Sequence, residues 1–265
     1  MKRSKITAFF VVAFFSTLHL HAAMVTNKVD AILALGAEMS NVRAMLENYT
    51  TIGAKIAFKN PGKQLKKHIE THDALMETLK STFKDPQIQQ LVTEGLTAWA
   101  PVKKALQTAE GNVDRDQMRK QAQFVHDNIR AVIKNLSALK KIFLTQTKIA
   151  HPEALNAAIE IATSARRLSA HYMMFMWKLP DPTIEKHWAQ GIKIWSDSIA
   201  HLKQSDFYKN PEFKASLDDS EKILKHLIMY ASMARSGTVV PAIVHKKSEK
   251  AFEEGNALAR IILGK

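Results

Sequence analysis

The chain has 265 residues, 46% of them hydrophobic, a formal net charge of +13 and no cysteine. The absence of thiols excludes disulfides, haem attachment through CxxCH and zinc sites built on thiolates. The protein must therefore be held by its apolar core, which this length supports as one large or two small domains.

In chain order, MKRSK is a charged start, ITAFFVVAFF a short apolar core, and STLHLHAA a run ending in small residues. This layout predicts a secretory signal peptide, residues 1–23, cut near Ala22 or Ala23. Its apolar core of about ten residues is too short to span a bilayer, which takes roughly 20. The most apolar later run, MMFMW, is brief and flanked by arginine and lysine. The expected product is periplasmic or secreted, with no transmembrane segment after cleavage. Its basic charge sits largely on lysines such as the Lys66–Lys67, Lys103–Lys104, Lys140–Lys141 and Lys246–Lys247 pairs, which read as solvated helix surface. No aromatic interleaving accompanies them, and with export this argues against a nucleic-acid partner.

From residue 29 on, apolar residues recur at spacings of three and four. The stripe Val125, Ile129, Val132, Ile133, Leu136, Leu139, Ile142 and Phe143 is the longest example. Eight helices are predicted, at 29–58, 62–83, 86–107, 115–148, 152–179, 182–204, 211–234 and 239–263. They are separated by turn residues such as NPGK at Asn60, DP at Asp85, HP at His151 and NP at Asn210.

The second half repeats the first. FKDPQI (Phe83–Ile88) matches YKNPEF (Tyr208–Phe213), LKKH (Leu65–His68) matches IEKH (Ile184–His187), and FVH (Phe124–His126) matches IVH (Ile243–His245). RAMLENY (Arg43–Tyr49) matches RRLSAHY (Arg166–Tyr172), and all four matches keep their order at offsets of 119 to 125 residues. The predicted fold is all-α, with two tandem antiparallel four-helix up-down units, residues 24–149 and 150–265, forming an elongated bundle.

The first helix of each unit resembles the signature helix of the PilJ-type sensory domain. That domain is the ligand-sensing module of pilus-type chemotaxis transducers, related to the periplasmic module of nitrate/nitrite sensor kinases. The family pattern runs approximately A-G-R-Q-R-M-L-S-Q-R. Unit two reads Ala162 to His171 and keeps the second arginine as Arg166, then Leu168 and Ser169. Unit one reads Met39 to Asn48 and keeps Arg43, followed by apolar residues. The glycine and the first arginine of the pattern are absent from both units. The resemblance implies a sensor-like bundle in which arginines of two modules meet an anion.

The residues support a parallel reading. Arg166 lies on a face with Ile159, Ala162, Ser169, Ala170, Met173 and Trp177, where a guanidinium needs a partner. Arg43 has Glu47 one turn on, so a local ion pair can satisfy it, whereas Arg166 has no acid within four residues on either side. Two outcomes follow. Arg43 and Arg166, with Arg167 and Ser169 beside them, surround a small anion on facing helices. Alternatively, Arg166 forms an inter-helix salt bridge or snorkels to the surface.

Other candidates read as structural. His68 and His72 in HIETH are spaced to share a metal but lack further ligands, and are expected at the surface. His171 with Met173, Met174 and Met176 could suggest copper or haem, but helical spacing disperses them into core packing. Trp99, Trp177, Trp188 and Trp195 are expected in the core. Asp218, Asp219, Glu253 and Glu254 are expected on helix surfaces. No nucleophile elbow, phosphate loop or paired carboxylates in a cleft appear, so neither an enzyme nor a cofactor or metal is expected. The expectation is a non-enzymatic binding protein that captures a nitrate-, nitrite- or carboxylate-like anion. It would present this anion to a membrane-bound transducer or another envelope protein. The alternative is a structural or adaptor bundle that binds a protein or anionic envelope component and no small ligand.

Overall fold

The computed structural model describes residues 25–56, 60–110, 114–180, 182–236 and 238–265. The expected signal peptide lies outside them. Eight α-helices and no strand are found among the described residues. They are α1 (Lys28–Gly53), α2 (Pro61–Thr82), α3 (Pro86–Gln107), α4 (Arg115–Gln146), α5 (Pro152–Met176), α6 (Ile184–Lys203), α7 (Pro211–Arg235) and α8 (Pro241–Ile262). None is long and apolar enough to cross a membrane.

The helices begin where the punctuation predicts. Asn27, Asn60, Asp85, Asp114 and Asn210 each turn a side-chain oxygen onto backbone N–H groups of the first turn. Proline opens α2, α3, α5, α7 and α8, where its missing N–H costs nothing.

The long first helices of the two halves stop earlier than periodicity suggests. α1 ends at Gly53 rather than 58, and α5 at Met176 rather than 179. In both, a lysine just beyond the helix adopts the left-handed conformation, Lys55 at φ 56° and Lys178 at φ 52°. Amides beyond each helix then turn back onto its last carbonyls, Ile56 N–H to Thr51 O and Leu179 N–H to Met174 O. Apolar residues continue past this turn, so hydrophobic spacing alone could not locate the stop.

α1 and α5 lie side by side at the centre of the protein. α1 packs on α2, α4 and α5, while α5 packs on α1, α6 and α8; α3 then closes against α4, and α7 against α8. Burial on nearly every side explains why α1 and α5 are rich in alanine and small residues rather than sharply two-faced. Close approach is enforced at Gly53, where a Cβ would stand 2.1 Å from Trp177 Cη2. At Gly255 a Cβ would meet the Ala162 backbone nitrogen at 2.8 Å. The α4 stripe faces inward as expected, with Val125, Ile129, Val132, Leu136, Leu139 and Phe143 buried. All four tryptophans are buried, as are Met173 and Met174.

The HIETH histidines depart from the surface reading. His72 is buried and its Nδ1 lies 2.9 Å from Glu38 Oε1 of α1; His68 is buried beside it. The i,i+4 pair is therefore the inward face of α2. Its polarity is answered by polar groups in the middle of α1, which local sequence could not reveal.

Candidate anion-binding site

Midway along the α1–α5 contact the apolar packing is interrupted by two clusters of charged side chains. The first is closed. Arg166 of α5 is 6% exposed and its Nη1 stands 3.5 Å from Glu47 Oε2 on α1. Glu47 Oε1 accepts a hydrogen bond from Ser169 Oγ at 2.6 Å and lies 2.6 Å from His245 Nδ1 of α8. Glu249 completes the cluster, 3.3 Å from His245 Nε2 and 3.9 Å from Arg166 Nη2. The Phe252 ring lies 5.3 Å from the Arg166 guanidinium carbon. Burial opposes charge on Glu47, but the hydrogen bond from His245 and the fields of His245 and Arg166 hold its pKa below the usual carboxylate value.

Arg166 is thus the inter-helix salt bridge that the sequence left as its second possibility, and Ser169 belongs to that bridge. The local pairing of Arg43 with Glu47 does not form, because the Glu47 carboxylate points across the interface to Arg166 and His245.

The second cluster surrounds a cavity of about 150 Å³. α1 contributes Arg43 and Leu46; α5 contributes Arg167, Ala170 and His171; α4 contributes His126, Ile129 and Arg130; α6 contributes His187 and Gln190. The structure therefore brings Arg43 together with Arg167, not with Arg166. Among the described residues no carboxylate lies within 4 Å of either Arg43 or Arg167. Arg43 Nε, Arg167 Nη1 and His171 Nδ1 are buried without hydrogen-bond partners. Burial, followed by the field of Arg167, pushes the Arg43 pKa well below its usual value, with Glu160 only partly compensating. Burial lowers Arg167 as well. For His171, burial and then His126, Arg43, His187 and Arg167 drive the pKa well below that of an ordinary histidine. Each of these shifts is led by burial of a cationic group; neighbouring positive charge adds to it, and Glu160 works against it at both arginines.

The three histidines converge. Their ring centroids are 5.6 to 5.8 Å apart, and one ring nitrogen from each lies within 4.8 Å of the others. Arg130 Nη2 lies 2.8 Å from His187 Nδ1, and His126 Nδ1 lies 3.3 Å from Asp127. Three imidazoles of this kind can hold a zinc-like ion with one position free. Three guanidiniums in the same cavity oppose a lone dication and favour an anion.

Arg43 and Arg167 are candidates from the sequence alone, whereas His126 and His187 stand out there only as landmarks of the duplication. Their recurrence at a fixed register, as LKKH/IEKH and FVH/IVH, was the available signal that these helices point a polar group at the centre.

No family model, curated protein or solved structure matches the chain.

Proposed function

We propose that this protein is a non-enzymatic binding module that captures a small anion in the cavity between α1, α4, α5 and α6. The observation that carries this reading is a cavity lined, among the described residues, by the guanidiniums of Arg43, Arg130 and Arg167 and by no acid, with buried, unpartnered nitrogens on Arg43, Arg167 and His171. Leaving such groups unmet costs on the order of 1–3 kcal/mol each, and an anion recovers that cost when it binds. The PilJ-type resemblance supports the same reading, since it implies arginines from two modules meeting an anion. Here the duplication would supply both modules from one chain. Export through the leader would place the module in the periplasm or outside the cell, where it would hand its ligand state to an envelope partner.

Thermal melting of the mature chain against nitrate, nitrite, sulfate, phosphate and carboxylates tests the proposal. A binding anion at a hundredfold excess over its Kd stabilises by about 2.7 kcal/mol, a shift of several degrees for a chain of this size. R43A and R167A should abolish the response. A flat response across the panel would leave the adaptor-bundle reading.

The histidine cluster favours one second reading, a metal held by His126, His171 and His187 with the anion as its fourth ligand. Anion binding that disappears with chelator and returns with zinc would establish it; binding indifferent to chelator assigns the anion to the arginines.

A further inference from the structure

The two polar clusters are the same site, built twice. In the duplication register, Arg43 corresponds to Arg166, His126 to His245, Arg130 to Glu249, and His187 to His68. The cavity residues Leu46 and Ala170 correspond to Ser169 and Glu47. In the fold, Arg166, His245, Glu249, Ser169 and Glu47 do converge, and His68 is close enough to feel the Arg166 charge. The duplicated halves therefore place the same arginine and histidine on both sides of the α1–α5 contact.

The two copies differ at the decisive position. In the closed copy Glu47 reaches from the neighbouring central helix and sets its carboxylate on the arginine, the histidine and Ser169. In the other copy that position is Ala170, whose methyl group borders the cavity. The charge content changes in the same sense. The closed copy balances Arg166 and His245 against Glu47 and Glu249. The cavity copy has Arg130 in place of Glu249 and adds Arg167 where the closed copy has Ala44.

Glu47 thus displays, within the molecule, how a carboxylate sits in this site. The geometry points to a short dicarboxylate as the ligand of the cavity, a deepening that rests on the anion reading above. One carboxylate takes the place corresponding to Glu47, against Arg43 and His126. The second meets Arg167 and Arg130, the two guanidiniums that the closed copy lacks. A cavity of about 150 Å³ is equivalent to roughly five waters at about 30 Å³ each, room for a chain of three or four carbons.

Calorimetric titration of the full mature chain with malonate, succinate, acetate, nitrate and sulfate tests this. Malonate or succinate should bind at one site per chain and at least tenfold tighter than acetate, nitrate or sulfate. A170E should abolish that binding, because the new carboxylate reproduces Glu47 and closes the cavity. E47A should open the closed copy, so that acetate raises its melting temperature by several degrees more than it raises that of the wild type. If nitrate or sulfate binds tightest and A170E removes it, the anion reading stands and the dicarboxylate inference is overturned. Absence of binding by every anion overturns both. If A170E does not fold, the ranking of anions on the wild type and the acetate response of E47A still decide. No selective acetate response in a folded E47A overturns the equivalence of the two copies.

Discussion

Arg166 and Glu47 face each other across the two central helices at 3.5 Å, both almost wholly out of water. Arg43, which occupies the equivalent turn of the first helix, has no such acid among the described residues. The two arginines should therefore respond oppositely to the same substitution. R166M removes one of the two cations that face the buried Glu47 carboxylate, leaving His245 and Ser169 on it, and should cost roughly 1–3 kcal/mol. R43M removes a guanidinium already short of partners and should leave the ligand-free protein unchanged or more stable, while eliminating anion binding. Denaturant melts of both variants without added anion make the comparison; equal losses would mean that Arg43 has a structural role like that of Arg166.

Stability should peak near neutral pH, with a different histidine setting each limb. For His245, burial works against charge, but hydrogen bonds to Glu249 and Glu47 outweigh it and raise the pKa to about 9. The folded chain then holds a proton that an unfolded histidine, titrating near 6.5, releases. That contribution, on the order of 3 kcal/mol, is complete below about pH 6.5 and is lost as pH rises through 9. His68 acts in reverse. Burial and then the Arg166 field lower its pKa to about 3, so its contribution is present above about pH 6.5 and is lost as pH falls toward 3. In a pH series of melting temperatures, H245Q should flatten the alkaline limb and H68Q the acid limb.

Anion capture should take up protons. His171 is held neutral by burial and by His126, Arg43, His187 and Arg167 around it; Glu185 of α6 lines a neighbouring pocket with it. A bound anion reverses the electrostatic part of this shift and favours imidazolium. Affinity should rise severalfold between pH 7.5 and 5.5. Calorimetry in buffers of different ionisation enthalpy should show a fraction of a proton entering per anion bound. H171Q should lower that uptake.

Lys55 and Lys178 end the two central helices with φ of 56° and 52°. A side chain in this region costs about 1 kcal/mol that glycine avoids. K55G and K178G should each stabilise by about 0.5 kcal/mol, since glycine also loosens the unfolded chain. At Lys178 the carbonyl accepts a hydrogen bond from Arg119, a contact that the glycine variant keeps. Denaturant midpoints would show the gain, and a loss at either site would mean the lysine stems contribute more than the turn strain costs.

Helix number, most helix starts and the inward stripe of α4 were legible in the sequence. Each depends on neighbours within a few residues or on a repeated pattern: capping side chains, proline at the first turn and apolar spacing. The need of Arg166 for a partner was legible too, because a guanidinium on an apolar face signals one whatever the fold. Which arginine meets which partner was not. Arg166 and Arg167 are adjacent in the chain but about 100° apart around a helix, so one turns toward α8 and an acid while the other turns toward α4 and a cavity. That outcome was decided by Glu47 reaching across from α1, by His245 on α8, and by Ala170 standing where the other copy has a carboxylate. Local sequence sets a helix and its faces, but the charge that a face meets comes from residues tens to more than a hundred positions away. Only packing of the two halves against each other brings them within hydrogen-bonding reach.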